Sequence, residues 1–517
     1  MATIKTHIMS DETGQRMAAA LESIAMFGGS TLKYDSELGE YTNLAEWFRS
    51  KRDGKVYSVD VPTGATVQCV KRDANAGIPV PSPGTELDAA ADMYATVNVF
   101  YHVDVNATVD ADGTTHVTAI NGDGMFKADG TNGDVFVMCP PLWYSFEDVS
   151  DGAYTRISVS DSPLSGLRPQ PGMRKTDASL RPYMLYAKYP LCSASSPANS
   201  CSGQQPRTRD VSHDSLITQL STASSGKAGK TMDFTWYVDV MFLLKYATKN
   251  SQSVFQGCVN YDITKQPTAG TTSGRDVTVS TGHGFVEGSA IMVGTENTDR
   301  KNTTAHDIVD YAVIESITDG DGSSTLHLDR DVTVTAAHFI KTAPWPTGAC
   351  DLVQGDGSPT SSASGKEPFS LQGIELAHGM YEVMSGVGLK STGSGWQVMV
   401  LYDTASEASN LNGYEETGAY IPSESSDGWR YPLRLTDAGG MIVGTGSGGS
   451  TSTGTCDGSH SNASTATGER EFHSLGRLSV GAGAGLFCVR GSDALSDAGW
   501  HIGSRLSVNG RSRGEAA

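Results

Sequence analysis

The spacing of apolar and polar positions changes along the chain, and the changes divide it into regions. Within residues 10–26, Met17, Leu21 and Ile24 recur at helical spacing and form one apolar stripe. Asp11 can cap that helix, and Gly28-Gly29 can stop it. Residues 43–49 read as a second short helix. From residue 55 the period shortens: Val56-Tyr-Ser-Val-Asp-Val61 alternates, and the β-branched and aromatic run 95–103 predicts a strand. Asp112-Gly113, between residues 107–110 and 114–120, predicts a hairpin. Residues 133–139, 142–146 and 154–160 predict three more strands. Helical spacing returns at Leu216, Ile217 and Leu220, with Asp214 as the expected cap, and again over 236–248, with Thr235 as the expected cap. The second of these helices is apolar on nearly every side, which places it inside the fold.

Residues 259–350 carry no helical period. Asp276-Val-Thr-Val-Ser280, Ala290-Ile-Met-Val293, residues 312–317, the turn Asp319-Gly-Asp-Gly322 and residues 324–328 read as an inserted, barrel-like all-β module. A Ser/Gly linker follows at 358–365, and 368–517 holds short strands between many glycines. Residues 444–464 have the composition of a flexible linker, but Cys456 and His460 within them point to an ordered loop. The expected fold class is therefore α+β and β-dominated. Its divisions are a helical attachment region (1–54), a β-rich region (55–132), a mixed region (133–258), the inserted module (259–350) and a C-terminal region (351–517).

Charge narrows the partners. With 58 acidic and 38 basic residues the net charge is −20, and no basic run exists to displace counterions from a nucleic acid. The hydrophobic share of 38% is too high for wholesale disorder. The most apolar run, 236–247, contains Asp239 and Lys245, so it reads as a buried helix and no membrane insertion is expected. Met1–Met9 has no apolar core of a secretory signal. None of the 8 cysteines forms a CxxC pair, which removes zinc-ribbon and dithiol-redox readings. Cys192 and Cys201, in a Ser/Pro-rich loop, have the only spacing that hints at a disulfide.

Candidate chemistry is sparse. The histidines are scattered, and His378 and His460 read as loop residues, so no metal or other cofactor is expected. Gly444–Gly449 fits GxGxxG, but no helical pattern follows to present a phosphate site, and no Gly-x-Ser-x-Gly occurs. Glu375 and Glu382 invite comparison with the carboxylate pair of a glycosidase. Their glycine-rich, apolar surroundings favour a second reading, as buried carboxylates that accept loop N–H groups. Residues 478–489 and 499–507 read as strand, loop, strand, with Trp500 at the loop edge as either a binding residue or a core residue.

An ordered series of motifs then carries a resemblance. It comprises Gly373-Ile-Glu-Leu-Ala-His-Gly-Met-Tyr-Glu-Val-Met-Ser-Gly386, Cys456-Asp457, Arg477-Leu-Ser-Val-Gly481, Ala484-Gly-Leu-Phe487 and Ile502-Gly-Ser-Arg-Leu-Ser507. Over roughly 133–258 and 368–517 the chain resembles phage tail receptor-binding proteins of the major tropism determinant kind. Their C-type-lectin-like domain is related to the sulfatase-modifying-factor fold, and in many of them a diversity-generating retroelement varies the C-terminal stretch. Tyr381 stands where the family tends to have Trp, and His378-Gly379 where it tends to have Gly-Asn. The resemblance implies a non-enzymatic adhesin in the virion tail, made in the bacterial cytoplasm. It further implies a homotrimer that contacts other tail proteins and binds a host cell-surface protein or glycan. It places a variable ligand-binding surface at Ser459, His460, Ala482, Ala484, Phe487, Val489, Arg490, Asp493, Leu495, Asp497, Trp500 and His501, over a scaffold that includes Glu375, Glu382, Gly503 and Arg505. The alternatives are an oxidase of the formylglycine-generating type, for which Cys456 and Cys488 lack the close pairing that holds copper, a glycan-degrading spike, and a structural tail protein without a ligand.

Overall fold

The computed structural model describes residues 31–83, 92–192, 199–220, 225–268, 271–351, 364–393, 395–422, 428–461 and 467–513. The helix expected at 10–26 and most of the linker expected at 358–365 lie outside them. Strand accounts for 40% of the structure and helix for 11%, so the chain is α+β and β-dominated. No helix among the described residues is long and apolar enough to cross a membrane.

Two five-stranded sheets enclose the main core. Tyr57–Pro62, Val70–Asp73, Trp143–Val149, Tyr154–Ser160 and Arg168–Pro169 make the first. Val103–Val109, Thr115–Ile120, Asp134–Cys139, Met184–Pro190 and the late strand Arg505–Ser507 make the second. Against both lies the helix Met232–Tyr246, buried along its whole length, as its all-round apolarity requires. Tyr237 of this helix stacks on Tyr186 of the second sheet at 4.4 Å. The helix starts one turn before the expected position. Thr231, in extended backbone, precedes it with its hydroxyl on Asp233, and Thr235 is interior. The polar run Lys230–Asp233 had hidden that first turn.

The run 95–103 is not a strand. It forms two 3₁₀ turns, Met93–Thr96 and Asn98–Phe100, and the strand begins at Val103. Asp92 accepts the Tyr94 N–H at 2.8 Å and Asn98 donates to Asp161 at 2.9 Å, so polar side chains outbid β propensity here. The short helix near residue 44 forms as Leu44–Ser50 and buries Leu44, Trp47 and Phe48. Cys192 and Cys201 are both buried, with their sulfur atoms 2.6 Å apart.

Residues 264–343 form a separate six-stranded antiparallel sheet around their own core, to which Val277, Ile291, Leu326 and Ile340 contribute. Among the described residues no ladder joins the end strands Thr264–Lys265 and Thr271–Ser280, although the Thr268 N–H donates to the Thr278 carbonyl at 2.8 Å. The C-terminal region is an eight-stranded sheet centred on Tyr381–Ser391 and Glu469–Leu475. The described part of 444–464, up to Ser461, is built into sheets, as the ordered-loop reading expected. Ile442–Thr445 pairs with Arg434–Asp437, and Ser459–Ser461 joins the large sheet.

These parts meet at Glu382. Its carboxylate accepts from Arg505 Nε at 2.7 Å and from Lys230 Nζ at 2.9 Å, and all three side chains are within 2% of complete burial. Glu382 belongs to the large sheet, Arg505 to the second five-stranded sheet, and Lys230 to the entry of the buried helix. Burial works against the charge on Glu382, yet Arg505 and Lys230 together hold its carboxyl below the usual range. Glu382→Ala would leave two cations buried without their counter-charge. It is expected to cost about 3–5 kcal/mol of folding stability, measurable as a lowered urea midpoint.

Candidate functional site

The C-terminal surface is built on the strands Glu469–Leu475 and Gly485–Gly491 and on the loops that leave them. Two buried carboxylates fix the backbone beneath it. Glu375 accepts the Gly348 N–H at 2.9 Å and the Cys350 N–H at 2.6 Å, and meets His378 Nε2 at 3.0 Å. It thereby ties the end of the inserted module to the body. Arg505 also donates to the Glu375 carbonyl. Asp457 accepts from Ser251 Oγ at 2.7 Å and from the Phe487 N–H at 3.0 Å, while its second oxygen is buried without a partner among the described residues. Gly485 passes so close that a Cβ there would lie 2.3 Å from the Asp457 carboxyl carbon, at a φ of +130° that itself favours glycine.

The expected surface residues divide sharply. Ala482 and Asp497 are exposed, and His460, Arg490, Asp493 and His501 are half-buried. Ser459, Ala484, Phe487, Val489, Leu495 and Trp500 are interior, which corrects the expectation that they face solvent. Strand alternation explains part of this: Phe487 and Val489 point into two different cores while Arg490 turns outward. Leu495 closes a small cluster with Met399, Leu411 and Tyr414. Trp500, 4% exposed, fills the seam with the inserted module beside Tyr261, Trp345 and Leu478. Of the expected scaffold, Glu375, Glu382 and Arg505 are buried in the contacts above. Gly503 lies against Met380, where a Cβ would come within 2.6 Å of sulfur.

Beneath the half-buried Arg477, Arg490 and His501 the structure assembles a row of mostly buried rings and guanidinium groups. Arg490 sits 5.2 Å over the Tyr381 ring and is ion-paired with Asp493. Tyr381 stacks on His473 at 5.7 Å and meets His501 edge-on at 6.0 Å, and His501 meets Trp500 at 5.3 Å. Arg300, from the inserted module, and Arg477 lie over Trp500 at 4.8 and 5.8 Å. Burial, with Arg477 and Arg490 nearby, pushes His501 down to about 3, so its imidazole is neutral at physiological pH. Its Nδ1 is buried without a partner among the described residues. Farther along, His460 meets Ser492 Oγ at 2.8 Å and the Trp429 ring at 5.1 Å. Gly458 and Gly483 shape a slot for that indole, since a Cβ on either would come within 2.6 or 2.9 Å of it.

Sequence reasoning missed Trp429 and Arg477, which are half-buried at this face, and Arg300, Tyr381 and His473, which are buried beneath it. Tyr381 and Arg477 stand inside the quoted motifs, and the small residues at 458 and 483 mark a ring-sized slot. Nothing in the sequence pairs Arg300 with Trp500. Among the described residues no group of three or more His, Cys, Asp or Glu is placed to hold a metal ion. No protein-family model matches the chain, and no curated protein resembles it.

Burial pushes the Asp457 carboxyl up to about 8. The folded chain therefore keeps a proton that the unfolded chain releases near pH 3.9. Stability is full below that pH, declines as pH rises toward about 8, and is level above it. Asp457→Asn removes this decline. The variant is expected to gain on the parent between pH 5 and pH 8, read as the difference in urea midpoints. Parallel midpoints across that range would contradict the assignment.

Proposed function

We propose that the chain is a phage or prophage tail receptor-binding protein whose C-type-lectin-like body presents the C-terminal surface to a host cell-surface protein or glycan. The observation that supports this reading most is the contrast across a few ångströms. Beneath the surface, Glu375, Glu382, Asp457 and Arg505 are buried and held by internal partners. Above it, His460, Arg490, Asp493, Asp497 and His501 reach solvent from strand ends and loops. A rigid frame with mixed charged and aromatic groups at its edge is suited to recognition, because little ordering remains to be done on binding.

In this reading Glu375 and Glu382 are scaffold and no catalysis is required. Both carboxylates are engaged by internal donors and neither is open to a substrate. The protein works as a homotrimer in the virion, attached through its N-terminal region to other tail proteins after synthesis in the bacterial cytoplasm. Repeated copies then raise a weak affinity at each site through effective concentration.

The labelled protein is expected to be retained selectively on some strains of a bacterial panel. In the triple variant Arg490→Ala, Asp493→Ala, His501→Ala, retention is expected to fall by about 10-fold or more while thermal unfolding is unchanged. Unchanged retention in a folded variant would contradict the reading.

A further inference from the structure

The inserted module does more than pack on the body: a groove runs along the seam between them. Its wider part, a cavity of 190 Å³, is walled by Gln204 and Gln205 of the body and by Tyr311, Asp329, Arg330 and Pro346 of the inserted module. Past Gln205 and Tyr311 it narrows beside Arg209 and Trp500 to 10 Å³, room for about one water molecule.

The backbone of the body wall is pinned. The Gly203 N–H donates to the Thr347 carbonyl at 2.7 Å, the Gln204 N–H to Thr347 Oγ1 at 2.9 Å, and the Thr347 N–H returns to the Gln204 carbonyl at 2.9 Å. The side-chain amides of Gln204 and Gln205 are half-buried and make no hydrogen bond among the described residues. Each therefore offers two donors and an acceptor to the groove. On the opposite wall Arg330 donates to both oxygens of Asp329, at 3.1 and 2.8 Å, and Asp329 also accepts the Val313 N–H at 2.9 Å. That pair is electrically balanced, with Asp329 held by the backbone and Arg330 exposed at the groove edge. Tyr311 spends its hydroxyl on the Pro344 carbonyl, so it presents ring surface to the groove.

At the narrow end Arg209 is held at a φ of +70°, a conformation that an L-residue adopts at a cost. Its N–H donates to the Gly499 carbonyl at 2.9 Å, and its guanidinium is ion-paired with Asp310 of the inserted module. Its Nε is buried with no partner among the described residues. Arg209 thus bridges the two walls at the narrow end of the groove.

We infer that this seam groove binds a neutral saccharide, with vicinal hydroxyl groups held between the glutamine amides and the Asp329–Arg330 pair and a sugar face laid on Tyr311 and Pro346. The walls favour that ligand class. Their charges cancel locally, which gives no excess cation for a phosphate or carboxylate. On a pinned backbone they also carry amides that can both donate and accept, which suits hydroxyls over an apolar ligand. The inference adds to the adhesin reading a site that the C-terminal motifs do not include.

Saturation-transfer NMR on the full chain with the methyl glycosides of glucose, galactose, mannose, rhamnose and N-acetylglucosamine tests it. At least one glycoside is expected to receive saturation. Gln205→Ala and, separately, Arg330→Ala are expected to weaken its binding by about 5- to 10-fold, the loss of one net hydrogen bond, with unfolding temperature unchanged. Gln204→Ala serves as the second body-wall variant if Gln205→Ala unfolds. Saturation of none of the five, or binding unchanged in folded variants of both walls, would overturn the inference. Cell retention is a separate readout: glycoside binding in a protein that no cell retains would support the groove while ending the adhesin reading.

Discussion

One buried carboxylate with two cations holds the architecture together. Placing Glu382, Arg505 and Lys230 out of water is costly, and it succeeds only because each charge finds its complement at hydrogen-bond distance. The geometry that satisfies them also dictates the fold. Lys230 must enter the buried helix beside the large sheet, and the chain must return after its long C-terminal excursion so that Arg505 lies in the second five-stranded sheet. The last strand is thus a structural closure.

The same logic of satisfied burial recurs nearer the surface. Glu375 takes two N–H groups from the end of the inserted module, and Asp457 anchors the strand that carries Arg490. Glycine does the complementary work: at 458, 483 and 485 it lets an indole or a carboxyl group approach backbone that any side chain would block. The many glycines of the C-terminal region are thus largely packing devices.

Much of the fold was legible because periodicity reports burial directly. The all-round apolarity of 236–246 announced an interior helix, and the Asp112-Gly113 turn announced its hairpin. What failed did so for local reasons. Asp92 and Asn98 turned a β-branched run into 3₁₀ turns, and the polar residues before Met232 concealed the start of the helix. The surface was half legible. Arg490 and His501 could be placed by motif, but whether Phe487 or Trp500 faces solvent depends on which core lies behind each one. Arg300 reaches Trp500 from a module distant in sequence, a juxtaposition created only by tertiary structure.

The account makes the C-terminal face the place where the protein meets its host. Hydrogen–deuterium exchange of the whole chain, with and without envelope fragments from a strain that retains it, tests this most directly. The account predicts added protection at 459–461, 477–484 and 490–501, with the buried strands around Glu382 unchanged. Protection confined to other faces, with these three segments unaltered, would contradict it.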